Sequence, residues 1–422
     1  MSPRRRANCL ILAASVALCV LLIALVSTPR ILLRRAVPPL APQSEYLLNL
    51  SLDDPAVGPA AYRWGVIGNA FIDPPSLRAT GVRLWIVRVS WREYAPGSAA
   101  HDLAYIGAKR AEFDRLRESG FQLILDPGFH DTPQWLHGRY PDSRYIDQDG
   151  QPYIGGDQID SGDANFVFNP ALRDVLDRYL ADLFASFGTD FAAVRLGGGR
   201  SNELAFPPSA PGRAQYWAFD RYALARSPTP RWRPGQPSPQ GEAEQFLSWY
   251  LDCLAEYQNW QIDTVRRYYD GPVMILYPGW GIRPGQESAA ITANLAGTTD
   301  AEKTGEMPAG TDYARQIAAL HAPNVILTTT WLDARDGSDF SPDPRQWRPV
   351  KYIAALASAS GQQFKLYGEN TGQGDVGALH FAAEQMVKFH LLGFAWYREE
   401  ELYSGRYATV ADLRSMIGHT VP

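Results

Sequence analysis

The chain has 422 residues, with 40 Lys and Arg against 45 Asp and Glu, which gives a formal net charge of -5. Hydrophobic residues make up 45% and charged residues 20%, as in an ordinary globular chain, so bulk disorder, a coiled coil and collagen-like repeats are excluded. The acidic balance excludes the basic surface that a nucleic-acid partner requires. The length suffices for one large α/β barrel or for two or three average domains.

An apolar run from Cys9 to Val26 follows three arginines at the N-terminus. It is long enough to span a membrane, and a cleavable signal peptide usually has a shorter apolar region and a small-residue cleavage site. We therefore interpret residues 1–30 as an uncleaved signal anchor, with a cleaved signal peptide as the alternative. Residues 31–58 are rich in proline and predict a short extended tether. The remaining part, 59–422, is the predicted catalytic domain.

Apolar runs of strand length alternate with helix-period stretches throughout this part of the chain. The predicted strands are Arg63–Ile67, Arg83–Val89, Phe121–Leu125, Phe191–Leu196, Val273–Leu276, Val325–Thr329, Phe364–Tyr367 and Phe394–Trp396. Eight strand–helix units predict an α/β fold of the (β/α)8 TIM-barrel class. The segments after the third, fourth and fifth strands are enlarged. Such βα loops form the active-site face of a barrel, so a substrate is expected there.

Cysteine and histidine usage argues against a metal centre. Only Cys253 lies outside the N-terminal apolar run, and the seven histidines show no metal-binding spacing. No nucleotide, flavin or other cofactor motif stands out, so no cofactor is predicted. Twelve Trp and 21 Tyr suit a groove in which sugar rings stack on aromatic faces.

Two glutamates follow predicted strands at the positions where a barrel carries its catalytic groups. Glu203 comes just after the fourth strand, within GRSNE, and Glu369 just after the seventh, within LYGEN. Residues above these two strands face each other across a barrel mouth. Carboxyl groups about 5 to 5.5 Å apart in such an arrangement are the machinery of a retaining glycosidase.

The sequence around these glutamates resembles clan A of the glycoside hydrolases, and more narrowly the family 42 β-galactosidase-like barrels. The resemblance extends from about Tyr62 to Trp396. It is carried by GVRLWIVRVSWREYAPG at Gly81–Gly97, FDRLRESGFQLIL at Phe113–Leu125, TPQWL at Thr132–Leu136, Tyr140-Pro141, Asp149-Gly150, and Asn202-Glu203. The Gly-Gly-Gly-Arg-Ser run before Asn202 departs from the family pattern.

The resemblance implies a retaining hydrolase that cleaves β-linked glycosides. It implies that Glu203 is the general acid/base and Glu369 the nucleophile. It further implies that Asn202 contacts the sugar 2-hydroxyl and that Arg88 steadies the nucleophile. Trp396, on the eighth strand, resembles the clan's aromatic platform under the sugar.

Five further residues at the starts of loops are candidates to line sugar subsites, with a structural role as the alternative for each: His130, Trp135, Tyr277, Trp280 and Trp331. The glycines Gly197–Gly199 are interpreted as a place where the backbone approaches a ligand closely.

Three functions remain open at this level. The first is a β-galactosidase-like hydrolase, the second an endo-acting mannanase- or xylanase-like hydrolase, and the third a barrel that binds carbohydrate without cleaving it. The expected partners are an oligo- or polysaccharide and, through the N-terminal helix, the membrane. Because extracellular glycans are the natural substrate of such a domain, we expect it outside the cytoplasm, either anchored or secreted.

Overall fold

The computed structural model describes residues 62–98, 100–155, 162–297 and 306–420. The predicted anchor at 1–30 and the tether at 31–58 lie outside the described residues. Within the described ranges, no helix combines the length and the apolar character that crossing a membrane requires.

Eight parallel strands close into a barrel in sequence order, with β1 paired to both β2 and β8. The strands are β1 (Gly65–Ile67), β2 (Leu84–Arg88), β3 (Gln122–Asp126), β4 (Ala193–Leu196), β5 (Val273–Tyr277), β6 (Val325–Thr329), β7 (Lys365–Glu369) and β8 (Phe394–Tyr397). The predicted (β/α)8 barrel is confirmed.

Helices follow the strands and form the outer layer. In the described part they are α1 (Pro74–Thr80), α2 (Trp91–Tyr94), α3 (Leu103–Glu118), α4 (Gln134–Arg139), α5 (Pro170–Phe187), α6 (Arg221–Arg226), α7 (Glu242–Val265), α8 (Gln286–Thr292), α9 (Glu306–Ala309), α10 (Tyr313–Ala319), α11 (Pro349–Ala359), α12 (Val376–Lys388) and α13 (Val410–Thr420). The start of α5 illustrates the local rules. Asn169 accepts a hydrogen bond from the Ala171 N–H, and Pro170 occupies the first helical position, where no N–H is needed.

Side chains alternate between the two faces of each strand, so every second residue points into the barrel. The interior is filled by Leu84, Ile86, Ile124, Ala193, Met274, Leu276, Tyr367 and Ala395. Moving two residues further along five of these strands reaches Arg88, Asp126, Arg195, Glu369 and Tyr397, and Thr330 follows directly after β6. We call these six residues the upper layer. The interior is thus apolar in the middle and polar at the carboxyl end of the strands.

Four strands, β3, β5, β7 and β8, extend further than the hydrophobic pattern predicts, and two of them end in acidic residues. The third continues to Asp126, which pairs in register with Arg88, and the seventh continues to Glu369, which pairs with Ala395. Hydrophobicity fades at these strand ends because the inward positions there face a cavity rather than the core. Parallel pairing continues all the same, since it depends on backbone groups alone.

Candidate active site

A cavity of about 530 Å³ opens at the carboxyl end of the barrel. Its wall includes Ile67, Gly68, Asn69, Arg88, Asp126, Arg195, Ser201, Glu203, Thr330, Trp331, Glu369, Asn370, Thr371, Tyr397, Arg398 and Glu400. A second cavity of about 370 Å³ lies at the opposite end, where the strands begin, against Leu84, Ala193, Met274 and Tyr367. Enzymes of this fold carry their chemistry at the carboxyl end, and the acidic groups line the cavity there.

The two glutamates predicted from the sequence line this one cavity. Glu369 is the last residue of β7, and its Oε2 accepts a hydrogen bond of 2.8 Å from Arg195 Nη2. Glu203 lies on the loop after β4, and its Oε1 accepts a hydrogen bond of 2.6 Å from Thr330 Oγ1. The barrel thus brings together carboxyl groups that are 166 positions apart (369 minus 203) in the chain.

The loop that carries Glu203 folds back on itself. The Gly199 N–H donates to the Glu203 carbonyl at 2.9 Å, and the Leu204 N–H donates to the Leu276 carbonyl of β5, also at 2.9 Å. A Cβ atom at Gly197 would lie 2.0 Å from the Asn202 carbonyl oxygen. The glycine run therefore allows the backbone to approach its own returning segment at Asn202.

A buried ionic network lies beneath the cavity. Arg195, on β4, donates from Nη1 to Asp126 Oδ2 at 3.0 Å and from Nη2 to Glu369 Oε2 at 2.8 Å. Asp126, Arg195 and Glu369 are 3%, 5% and 4% exposed, so solvent screens the network little. The other Asp126 oxygen accepts from the Gly128 N–H at 2.9 Å and from Asn202 Nδ2 at 3.1 Å. One guanidinium thus serves two carboxylates.

This arrangement sets the acidity of Glu369. Burial raises the pKa of its carboxyl group, the Arg195 guanidinium opposes that rise, and the negative charge of Asp126 adds to it. Glu369 Oε1 is buried and has no hydrogen-bond partner in the described part of the chain. One oxygen of Glu369 is therefore held by a cation while the other retains free lone pairs.

Arg88 contacts a histidine rather than the nucleophile candidate. Its Nη1 lies 2.9 Å from His130 Nε2. A guanidinium can only donate, so His130 Nε2 accepts and the imidazole is neutral. Burial also lowers the pKa of His130, which favours the neutral form. The resemblance assigned Arg88 to steadying Glu369, but the arginine that contacts Glu369 in this structure is Arg195.

The side-chain amide of Asn202 is used within the protein. Its Nδ2 donates to Asp126 Oδ1 and, at 3.3 Å, to the Arg195 carbonyl, while its Oδ1 accepts from the Gly198 N–H at 3.1 Å. The residue is fully buried beneath the cavity. The structure therefore gives Asn202 a role in holding Asp126 and the loop, whereas the resemblance implied contact with a sugar hydroxyl.

The alternation of side chains along each strand places some of the predicted aromatic residues at the cavity and others on the outer face of the barrel. Trp331 lines the cavity, but Trp396 and Tyr277 occupy outward positions of their strands. Trp396 is fully buried beside Gly374, and the Tyr277 hydroxyl donates to Gln258 of α7 at 2.9 Å. The aromatic residue that β8 contributes to the cavity is Tyr397, one position further along.

The other two predicted aromatic residues, Trp135 and Trp280, are not part of the cavity wall in the described part of the chain. Trp135 Nε1 donates to the Ala95 carbonyl at 2.8 Å. Trp280 donates its backbone N–H to Glu306 at 2.9 Å, and its ring lies beside Arg283. These contacts match the structural alternative that the sequence left open.

Sequence reasoning missed Asp126, Arg195, Thr330 and Tyr397. In the structure, Asp126, Arg195 and Tyr397 each lie two positions beyond an inward-facing residue of their strands, but the sequence alone does not show which strand positions face inward. Arg195 is an arginine within an apolar barrel strand, where a charge requires a partner. Its partners could not be identified without the strand register.

Comparisons with known proteins extend the fold assignment. No family model and no curated protein matches the chain. The catalytic domain of a β-amylase from Paenibacillus polymyxa is 18% identical, with a TM-score of 0.66 over 87% of this chain and 100% of that domain. A β-galactosidase from the haloarchaeon Halorubrum lacusprofundi is 14% identical, with a TM-score of 0.54 over 85% of this chain and 58% of its own.

A family 42 β-galactosidase from G. stearothermophilus, solved as a catalytic mutant, is 13% identical, with a TM-score of 0.52 over 86% of this chain and 56% of its own. The chain thus spans the whole β-amylase domain but little more than half the length of the galactosidases. At these identities the likeness concerns the fold. The expected resemblance to clan A barrels, including family 42 β-galactosidases, is confirmed at that level.

Gly197→Ala tests the geometry of the Glu203 loop. The new methyl group meets backbone rather than a movable side chain, so we expect the free energy of unfolding in urea to fall by about 2 kcal/mol or more. Gly107→Ala is the matched control, because Gly107 lies in α3 with open space around it. The free energy of unfolding of that variant should rise by up to about 1 kcal/mol. Equal stability of the two variants would contradict the close approach.

Arg195→Met tests the buried network. It leaves two carboxylates without their cation, so we expect a loss of about 3–5 kcal/mol in the free energy of unfolding at pH 7. The loss should shrink at pH 5, because removing the cation takes away the interaction that opposes the raised pKa of Glu369, and acid then neutralises that carboxylate. Adding Glu369→Gln to Arg195→Met should recover part of the lost free energy of unfolding at pH 7.

Arg335→Met, at an exposed ion pair with Asp375, is the control for Arg195→Met. An exposed pair contributes about 0–1 kcal/mol, so this variant should remain close to wild type at both pH values. If Arg195→Met cost no more than the control, the network would not be a structural determinant.

Proposed function

We propose that the protein is a glycoside hydrolase that cleaves β-linked glycosides by double displacement. The observation that carries the proposal is the shared cavity of Glu203 and Glu369, which come from opposite parts of the barrel. Two carboxyl groups on either side of one sugar site can divide the work of acid and nucleophile. The fold likeness to β-galactosidases agrees with this proposal.

In the first step, Glu369 attacks the anomeric carbon with Oε1, while Arg195 holds Oε2. A carbon–oxygen bond forms to Glu369 as the bond to the leaving group breaks. Glu203 gives its proton to the departing oxygen and becomes a carboxylate. The Arg195 guanidinium opposes the rise that burial causes in the pKa of Glu369 and so favours the ionised state that a nucleophile needs.

In the second step, Glu203 acts as a base. It removes a proton from water, the oxygen of that water bonds to the anomeric carbon, and the ester to Glu369 breaks. Thr330 fixes the Glu203 carboxyl through its 2.6 Å hydrogen bond. The sugar leaves with the anomeric configuration of the substrate, and both carboxyl groups regain their initial protonation states.

A second candidate is an amylase acting on α-glucans. The β-amylase domain is covered completely and has a higher TM-score than the two β-galactosidases reported above. A panel of starch, β-galactosides, β-mannan and xylan separates these substrates by the products released. Binding of a polysaccharide without release of product would favour the carbohydrate-binding barrel.

Trapping of the covalent intermediate tests the proposal. Incubation with 2-deoxy-2-fluoro glycosides that carry good leaving groups should raise the intact mass by one fluoroglycosyl unit, because the fluorine slows both steps while the good leaving group speeds formation of the ester. Peptide mapping should place the adduct on Glu369, and Glu369→Ala should show none. Turnover of the parent glycosides without any adduct would contradict the double displacement.

The pH dependence of kcat/KM tests the charge balance around Glu369. Activity requires the ionised form, so kcat/KM should fall as pH drops through the raised pKa of Glu369. In Asp126→Asn one negative charge is removed and Glu369 ionises more easily, so this acid limb should move to lower pH. Asp102→Asn removes the same charge at the N-cap of α3, where Asn caps equally well, and should leave the limb in place. An unmoved limb in Asp126→Asn would show that a group other than Glu369 controls it.

A further inference from the structure

Two guanidinium groups flank the end of β1 at the cavity. Arg88 is the last residue of β2, and Arg398 follows directly after β8. Because β1 pairs with β2 on one side and with β8 on the other, these two arginines lie on either side of it. Both side chains line the cavity, as does Asn69 from the loop after β1.

The charge of Arg88 is not balanced by a carboxylate. Its one polar contact in the described chain is the 2.9 Å hydrogen bond to the neutral His130. The contact with the nucleophile, which an arginine on β2 was expected to make, is made by Arg195 instead. Arg88 is half-buried and makes no ion pair within the described part of the chain. Its remaining N–H groups are therefore available to a ligand.

Among the described residues, Arg398 has only one ionic contact, and it is a long one. Its guanidinium makes no hydrogen bond to any described residue, and its nearest carboxylate oxygen, Oε1 of Glu400, is 3.9 Å away. The guanidinium carbon lies 4.9 Å from the centre of the Tyr397 ring. The wall from β8 to β2 thus carries two cations and the single carboxylate of Glu400. The acidic groups Asp126 and Glu369 already share Arg195.

We propose that the sugar bound in this cavity carries an anionic group, a carboxylate or a sulfate ester, and that Arg88 binds it with Arg398 alongside. This inference rests on the proposed function, since it names the class of substrate. A planar guanidinium can donate two parallel hydrogen bonds to such a group. The anion would complete the pairing that Arg88 lacks, while the Tyr397 ring offers an aromatic face and Glu400 an acceptor for a sugar hydroxyl.

The kinetic test compares anionic glycosides with their neutral counterparts. The 4-nitrophenyl glucuronide and galacturonide, and the corresponding 6-sulfated hexosides, are each paired with the unsubstituted hexoside. We expect wild-type kcat/KM to be at least about tenfold higher for the anionic member, because hydrogen bonds to a charged group are the stronger ones. Preference for uronides identifies a carboxylate, and preference for the 6-sulfates identifies a sulfate.

Arg88→Gln should lower kcat/KM for the preferred anionic substrate by about 10- to 100-fold and for the neutral one by less than about threefold. Arg88→Lys, which keeps the charge without the planar fork, should lose less. Arg92→Gln is the matched control, because Arg92 is a nearby arginine paired with Asp131 and does not line the cavity as described. It should leave the ratio of the two substrates unchanged.

A binding measurement separates this inference from the proposed function. Titration calorimetry of the intact protein with glucuronate, galacturonate and galactose 6-sulfate, against glucose and galactose, needs no turnover. Tighter binding of an anionic sugar that weakens in Arg88→Gln supports the inference even if no glycoside is cleaved. Cleavage of neutral glycosides with a Glu369 adduct, no anionic preference, and equal losses in Arg88→Gln would overturn it while leaving the hydrolase proposal in place.

Discussion

The site depends on one guanidinium shared between two buried carboxylates. Arg195 contacts both Asp126 and Glu369, and these three residues come from β4, β3 and β7. Burying two negative charges this close together is unfavourable unless a cation lies between them. The ion pair therefore links distant strands of the barrel and sets how readily Glu369 ionises. The same electrostatic contacts thus hold the strands together and influence the pKa of Glu369.

The second carboxyl group is positioned by backbone geometry rather than by charge. Glu203 lies on a loop that doubles back over Gly197, a position without room for a side chain. The buried amide of Asn202 ties this loop to Asp126, and Thr330 holds the carboxyl group from the side of β6. Asp126 thus contacts both Arg195, which holds Glu369, and Asn202, which holds the loop of Glu203. The two carboxyl groups of the site are therefore linked through one buried residue.

The contact with Glu369 that was expected of Arg88 is made by a different arginine. Arg195 takes the contact with Glu369, and Arg88 turns to a neutral histidine, His130. The positive charge of Arg88 is left at the cavity wall without a carboxylate. From this unpaired charge at the cavity wall we infer an anionic sugar.

Sequence alone determined the barrel and the two glutamates, because apolar runs of strand length that alternate with helix-period stretches specify strands locally, and catalytic groups of this fold lie at the strand ends. It did not determine which neighbour faces inward: Trp396 was chosen for the cavity wall and Tyr397 lies there. That choice depends on strand register around the closed barrel, which is a property of all eight strands together. The pairing of Arg195 with Glu369, 174 positions apart, likewise came only from the tertiary structure, since electrostatic partners are set by distance in space.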